Sequence, residues 1–101
     1  MGFFDMLGGG FDKKLEQARC AEGARIVDVR TAQEFNSGHV PGAENVPLDG
    51  IESLKATPDT PIFVYCQSGA RSAQAARLLE SRGFLDVTNL GGIMSYRGPV
   101  E

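Results

Sequence analysis

The sequence predicts an α/β fold, an open parallel sheet of four or five strands flanked by helices on both faces. Three observations support this prediction. Two short runs, Arg25-Ile26-Val27-Asp28-Val29-Arg30 and Pro61-Ile62-Phe63-Val64-Tyr65, are apolar without a regular polar alternation, as strands buried on both sides are. Segments with helical spacing lie between the strand patterns, which gives the alternation of a parallel sheet. Ala73, Ala76 and Leu79 share one face of residues 72–82, and such small side chains let a helix lie close on a sheet.

In chain order, residues 1–11 read as an N-terminal leader in which Phe3, Phe4, Met6 and Leu7 precede Gly8-Gly9-Gly10. The remainder, 12–101, reads as one domain. Asp12 is a suitable N-cap for a first helix carrying Leu15, Ala18 and Arg19, and Gly23 can stop it. The run from Arg25 then forms a strand that delivers Asp28 and Arg30 to the end of the sheet. Thr31 caps a short helix through Phe35, and Gly38 ends it. His39-Val40-Pro41-Gly42-Ala43 is turn chemistry before a short strand at Asn45-Val46. Residues 49–56 suggest another short helix, broken by Pro58 and Pro61. Ile62–Tyr65 is the strongest strand and runs directly into Cys66. A helix over Ser72–Arg82 ends at Gly83, Asp86–Leu90 forms the last strand, and Gly91-Gly92 opens a terminal turn.

The bulk properties narrow the function. A chain of 101 residues, 42% hydrophobic, can enclose a single core. A net charge of −3 without a basic stripe argues against nucleic acid as a partner. No run approaches the ~18 apolar residues of a membrane span. The first residues lack the basic and apolar regions of a signal peptide, and Met6 occupies the position where a myristoylation motif at Gly2 needs Ser or Thr. These features predict a cytoplasmic protein whose two cysteines, Cys20 and Cys66, are reduced.

Ligands of open parallel sheets bind beyond the carboxyl ends of the strands. Cys66 is the candidate nucleophile there. Gln67, Ser68, Gly69, Ala70, Arg71 and Ser72 follow it between a strand and a helix, where a tight loop turns successive N–H groups inward as an anion nest. Positive potential from those amides and the helix terminus favours the thiolate, the reactive form. The same nest can hold an anionic substrate or a terminal persulfide sulfur. Asp28 and Arg30 are supporting residues, expected to pair and to fix loop geometry. Arg71 can either bind a donor's negative groups or brace the loop. Ser72 reads first as the helix cap, with assistance to Cys66 as the alternative.

Cys66-x4-Arg71-Ser72 after an apolar strand resembles the active-site loop of rhodanese domains. Asp28-Val29-Arg30, Glu34-Phe35, Gly38 through Pro47 and Leu90-Gly91-Gly92 match the same family in order and spacing, so that the resemblance covers roughly residues 12 to 98. It implies a sulfurtransferase that moves sulfane sulfur from a donor such as thiosulfate to a thiol or cyanide, through a persulfide on Cys66. It also implies a small anionic donor and a thiol acceptor as partners, possible relay to another protein, and no metal or organic cofactor. A lone His39 and two distant cysteines do not compose a zinc site either. Two alternatives stay open: a sulfur-carrier or persulfide-sensing module, and a phosphatase or arsenate reductase. The latter enzymes carry a longer C-x5-R loop, whereas four residues separate Cys66 from Arg71.

Two features depart from the family pattern. Tyr96 stands where many members have Trp after the Gly-Gly pair, and residues 1–11 show no strand before the first helix. Cys20 reads as an inert thiol, with a resolving cysteine as the sharper alternative. His39 reads as a turn residue rather than a general base.

Overall fold

The computed structural model describes residues 10–101. Four parallel strands form one sheet in the order β2-β1-β3-β4: β1 (Arg25–Asp28), β2 (Glu44–Asn45), β3 (Ile62–Cys66) and β4 (Val87–Gly92). Helix α1 (Gly10–Cys20) precedes β1, α2 (Ala32–Asn36) follows it, and α3 (Ala70–Ser81) connects β3 to β4. Two 3-10 segments, Leu48–Ser53 and Ile93–Ser95, complete the chain's regular structure. The expected fold class is the one observed, with helices on both faces.

The central strand explains why its sequence carries no polar alternation. Ile62, Val64 and Cys66 point into one apolar cluster, under α3 and the Leu48–Ser53 turn. Phe63 and Tyr65 point into the other, with Phe11, Leu15 and Ala18 of α1. Every residue of β3 is therefore buried. Cys66 ends this strand on the α3 side, while Ile26 of β1 faces α1.

Several boundaries differ from the sequence reading. Helix α1 starts at Gly10, two residues before the expected cap, and Phe11 is drawn into the core, where its ring meets Tyr65 edge-on and Tyr96 at a tilt. Arg97 N–H donates to Asp12 Oδ1 from a distant segment. The 49–56 helix is a 3-10 segment at 48–53. Helix α3 starts at Ala70 rather than Ser72, and its buried face is Ser72, Ala75 and Leu79, with Ala73 and Ala76 half-buried beside it. Gly91-Gly92, expected to open a turn, extend β4 past a bulge opposite Val64 and Tyr65. The Phe3–Leu7 leader and Gly2 lie outside the described residues.

Thr31 behaves as expected: its Oγ1 accepts from Glu34 N–H while Glu34 Oε1 accepts from Thr31 N–H, a reciprocal capping box. Tyr96 packs its ring 5.5 Å from that of Phe11 and donates its hydroxyl to Pro99 O.

Phe11 is 3% exposed. Phe11→Ala is expected to lower the free energy of unfolding by about 3 kcal/mol, read from urea titration with an unchanged slope. A loss below about 1 kcal/mol would mean that α1 is not tied to the core through this ring.

Candidate active site

The carboxyl ends of β1, β3 and β4 converge on the Cys66 loop. Cys66 is 1% exposed, and its Sγ accepts hydrogen bonds from Gly69 N–H at 3.0 Å, Ser72 N–H at 3.4 Å and the Ser72 hydroxyl at 3.5 Å. Burial pushes the thiol pKa up. The Ser72 hydroxyl, the Ser72 and Gly69 amides and the Ser68 amide outweigh burial, so that the pKa lies below the ordinary thiol value. The N-terminus of α3, 12 residues long, adds its dipole to the same side.

Two glycines make this nest possible. Gly69 is the residue preceding α3, with φ of +107°, a region closed to most side chains. Its conformation turns the N–H toward Cys66. Gly92 solves a different problem, because a Cβ there would lie 2.5 Å from Gln67 O and 2.7 Å from Ser68 Cα. Any side chain at position 92 must displace the loop.

Ser72 does not cap α3. It sits in the first turn, and its hydroxyl lies within 3.1 Å of Gly69 O and 3.4 Å of Gly91 O as well as beside Cys66. With one proton to donate, the hydroxyl serves one of these three acceptors at a time, and the charged thiolate is the one that gains most from it. The helix start is left without a side-chain cap, which keeps its leading amides available.

Asp28 and Arg30 are brought together as expected, but on the other side of the sheet end. Arg30 Nη2 lies 2.8 Å from Asp28 Oδ2, and the pair is almost completely buried. Arg30 also donates to Gly38 O at 2.7 Å and to Gln67 Oε1 at 3.1 Å, with its guanidinium over the Tyr65 ring. Asp28 thus reaches the loop only through Arg30. Every buried side-chain nitrogen and oxygen among the described residues has a partner.

Arg71 makes a bidentate pair with Glu34, at 2.8 and 3.0 Å. Of the two roles left open for it, the geometry supplies the brace. Arg71 and Thr31 hold the Glu34 carboxyl down to about 2. Glu34 is the site-adjacent residue that the sequence reading did not single out, although the Thr31-x-x-Glu34 capping box was a visible signal.

Cys20 and His39 stay apart from this chemistry. Cys20 is exposed at the end of α1 that leads into the start of β1, whereas Cys66 is buried at the opposite end of the strands. A resolving role for Cys20 is not supported by that placement. His39 stacks on Phe35 with ring centroids 3.7 Å apart, and its Nδ1 lies 3.0 Å from Phe35 O.

Known proteins resemble this chain in sequence and in fold. Residues 11–98 match the family model of the rhodanese-like domain. The thiosulfate sulfurtransferase PspE of Escherichia coli K12 is 36% identical over 77 residues, 72% of this chain and 74% of that protein. A putative sulfur carrier protein, YrkF of Bacillus subtilis, is 34% identical over 83 residues, 79% of this chain. The chain spans less than two thirds of the length of some relatives, and 45% of YrkF. The crystal structure of a rhodanese-like domain protein from Staphylococcus aureus superposes with a TM-score of 0.77 at 30% identity, covering 90% of this chain and 92% of the other.

Two measurements check the electrostatics. The rate of Cys66 alkylation by iodoacetamide is expected to reach its plateau below the ordinary thiol pKa, and Ser72→Ala to slow it about tenfold at pH 7. An unchanged rate in that variant would remove the Ser72 hydroxyl from the nest and leave its amide there. The Glu34 carboxyl, followed by NMR, is expected to titrate near 2, and in Arg71→Ala to move toward its ordinary 4.5. A lowered folded pKa means that the pair's contribution to stability is complete above 4.5 and fades as pH falls toward about 2. A midpoint unmoved by Arg71→Ala would assign the shift to Thr31 alone.

Proposed function

The chain belongs to the rhodanese-like domain family, and from that membership we propose that it is a sulfurtransferase that carries one sulfane sulfur on Cys66. The observation that carries this reading is the convergence of the Gly69 and Ser72 amides and the Ser72 hydroxyl on a buried sulfur. The Cys66 thiolate attacks the outer sulfur of a donor such as thiosulfate. A sulfur–sulfur bond forms to Sγ, the donor's own sulfur–sulfur bond breaks, and sulfite leaves with the electron pair. The product is a persulfide, whose terminal sulfur takes the place of the substrate anion before the Gln67–Ser72 amides. A thiolate or cyanide then attacks that terminal sulfur, and Cys66 departs as the thiolate that began the cycle. No metal or organic cofactor enters either step, and a reducing cytoplasm suits a site that must return to the free thiolate.

The loop supports sulfur over phosphorus. Arg71 turns to Glu34, so its guanidinium is engaged away from an oxyanion that would occupy the nest. A phosphatase needs that group on its phosphoryl oxygens.

The similarity to the putative sulfur carrier YrkF favours a second reading, in which the domain is loaded and unloaded by partner proteins. The nest serves both readings, because it stabilises the persulfide whatever removes it.

Mass spectrometry after incubation with thiosulfate is expected to show one added sulfur on the Cys66 peptide, removable by a thiol and therefore distinct from a sulfinic acid. Cys66→Ser is expected to gain no sulfur, to lose all turnover of thiosulfate with cyanide, and to keep the wild-type circular dichroism spectrum. Retained turnover in Cys66→Ser would overturn the mechanism. A persulfide that forms and persists with negligible turnover would favour the carrier. Cys66-dependent hydrolysis of an aryl phosphate would return the site to phosphorus chemistry.

A further inference from the structure

Arg71 stands beside the anion nest without serving it. It lies in the first turn of α3 and directly precedes Ser72, whose amide and hydroxyl reach Cys66 Sγ. The negative charge of Cys66 helps to raise the Arg71 pKa, so the guanidinium and the sulfur act on each other. A full positive charge in this place is the natural complement of an anionic donor. Glu34 takes that charge instead. Its Oε1 accepts from Arg71 Nη1 at 2.8 Å and its Oε2 from Nη2 at 3.0 Å.

Glu34 is fixed by more than Arg71. Its Oε1 also accepts from Thr31 N–H at 2.9 Å and from the Thr31 hydroxyl at 3.2 Å, which ties the carboxylate to the start of α2. Its pKa of about 2 keeps it ionised throughout the neutral range. Arg30, the other arginine adjoining the loop, is matched by Asp28. Neither arginine therefore offers an unmatched charge to a donor, and the nest holds its anion with amides and a hydroxyl. Neutral dipoles offset the desolvation of one negative charge more readily than that of two.

We propose that Glu34 is a specificity-determining residue: it withholds Arg71 from the donor, so that a doubly charged donor gains no advantage over a singly charged one. The inference rests on the sulfur-transfer reading and names its donor class, sulfane sulfur on a molecule with one negative charge, such as a thiosulfonate or an alkyl persulfide. With a thiosulfonate, the Cys66 thiolate attacks the outer sulfur. A bond forms to Sγ, the donor's own sulfur–sulfur bond breaks, and a sulfinate leaves with the electron pair. No oxidant or reductant is required.

Donor charge is varied with thiosulfate and methanethiosulfonate, which carry the same outer sulfur on a dianion and on a monoanion. Binding is measured by NMR titration of the full chain carrying Cys66→Ser, which cannot form the persulfide. Thiosulfate is expected to bind no more tightly than methanethiosulfonate. Adding Glu34→Gln, which keeps an oxygen for the Thr31 cap, is expected to raise the affinity ratio of thiosulfate to methanethiosulfonate about three- to fivefold, a gain that shrinks with added salt. Arg71→Ala is expected to lower the ratio, because Glu34 is then an unmatched anion. Combining the two substitutions is expected to return it to within about twofold of its starting value. A loop that is merely loosened weakens both donors together and leaves the ratio where it was. A ratio unmoved by Glu34→Gln, or one still raised when Arg71→Ala is added, overturns the proposal. With Cys66 intact, turnover of the two donors with cyanide is expected to follow the same pattern in kcat/KM, carried by the KM for thiosulfate. Failure of Cys66 to load from either donor counts against sulfur transfer, and the titration still decides whether Glu34 sets the preference for charge.

Discussion

The structure turns on a sulfur that is buried and yet favoured as an anion. Removing a thiol from water disfavours its charged form, so the thiolate at Cys66 depends on donors that replace the lost solvent. The Gly69 and Ser72 amides and the Ser72 hydroxyl supply them. Each is held by something else. Gly69 requires a backbone conformation available to few other residues, and Ser72 requires α3 to begin at Ala70 so that its hydroxyl faces the strand end. The loop can take this shape only because Gly92 lets β4 pass beneath Gln67 and Ser68. The bulge in β4 brings Gly92 to that position.

The two arginines near the site act on the loop from opposite sides of the sheet. Arg30 is buried with Asp28 and reaches Gln67, so the first residue of the loop is anchored on the α1 side. Arg71 is half-exposed and joined to Glu34, which anchors the first turn of α3 to α2. The energetic consequences differ. A buried ion pair is costly to break because either partner alone would be left uncompensated. A pair about one third exposed is screened by water and adds less. The Asp28–Arg30 pair is thus a structural fixture, and the Arg71–Glu34 pair a positional one that stronger acid can release.

Much of this was legible in the sequence, for identifiable reasons. Continuous apolar runs announce strands buried on both faces, and β3 is such a strand. A cysteine followed by small residues and a glycine, between strand and helix, announces a nest. The features that escaped depend on contacts across long separations. Nothing in the local pattern of Gly10-Phe11-Asp12 shows that Phe11 will find Tyr65 and Tyr96. Serine is an ordinary cap, and its different role at position 72 follows from where Gly69 places the first turn. The partner of Arg71 is 37 residues away in sequence, and only the fold brings Glu34 to it. Gly92 is similar, since its need is set by Gln67 and Ser68 on another strand's loop.

The distribution of charge shows why an acidic chain can hold an anion. Both arginines adjoining the loop are matched by carboxylates, Arg30 by Asp28 and Arg71 by Glu34. The positive potential at Sγ therefore comes from local dipoles, those of the Ser72 hydroxyl and the loop amides, rather than from net charge. Dipolar potentials fall off faster with distance than those of full charges, so this nest acts on what is already inside it.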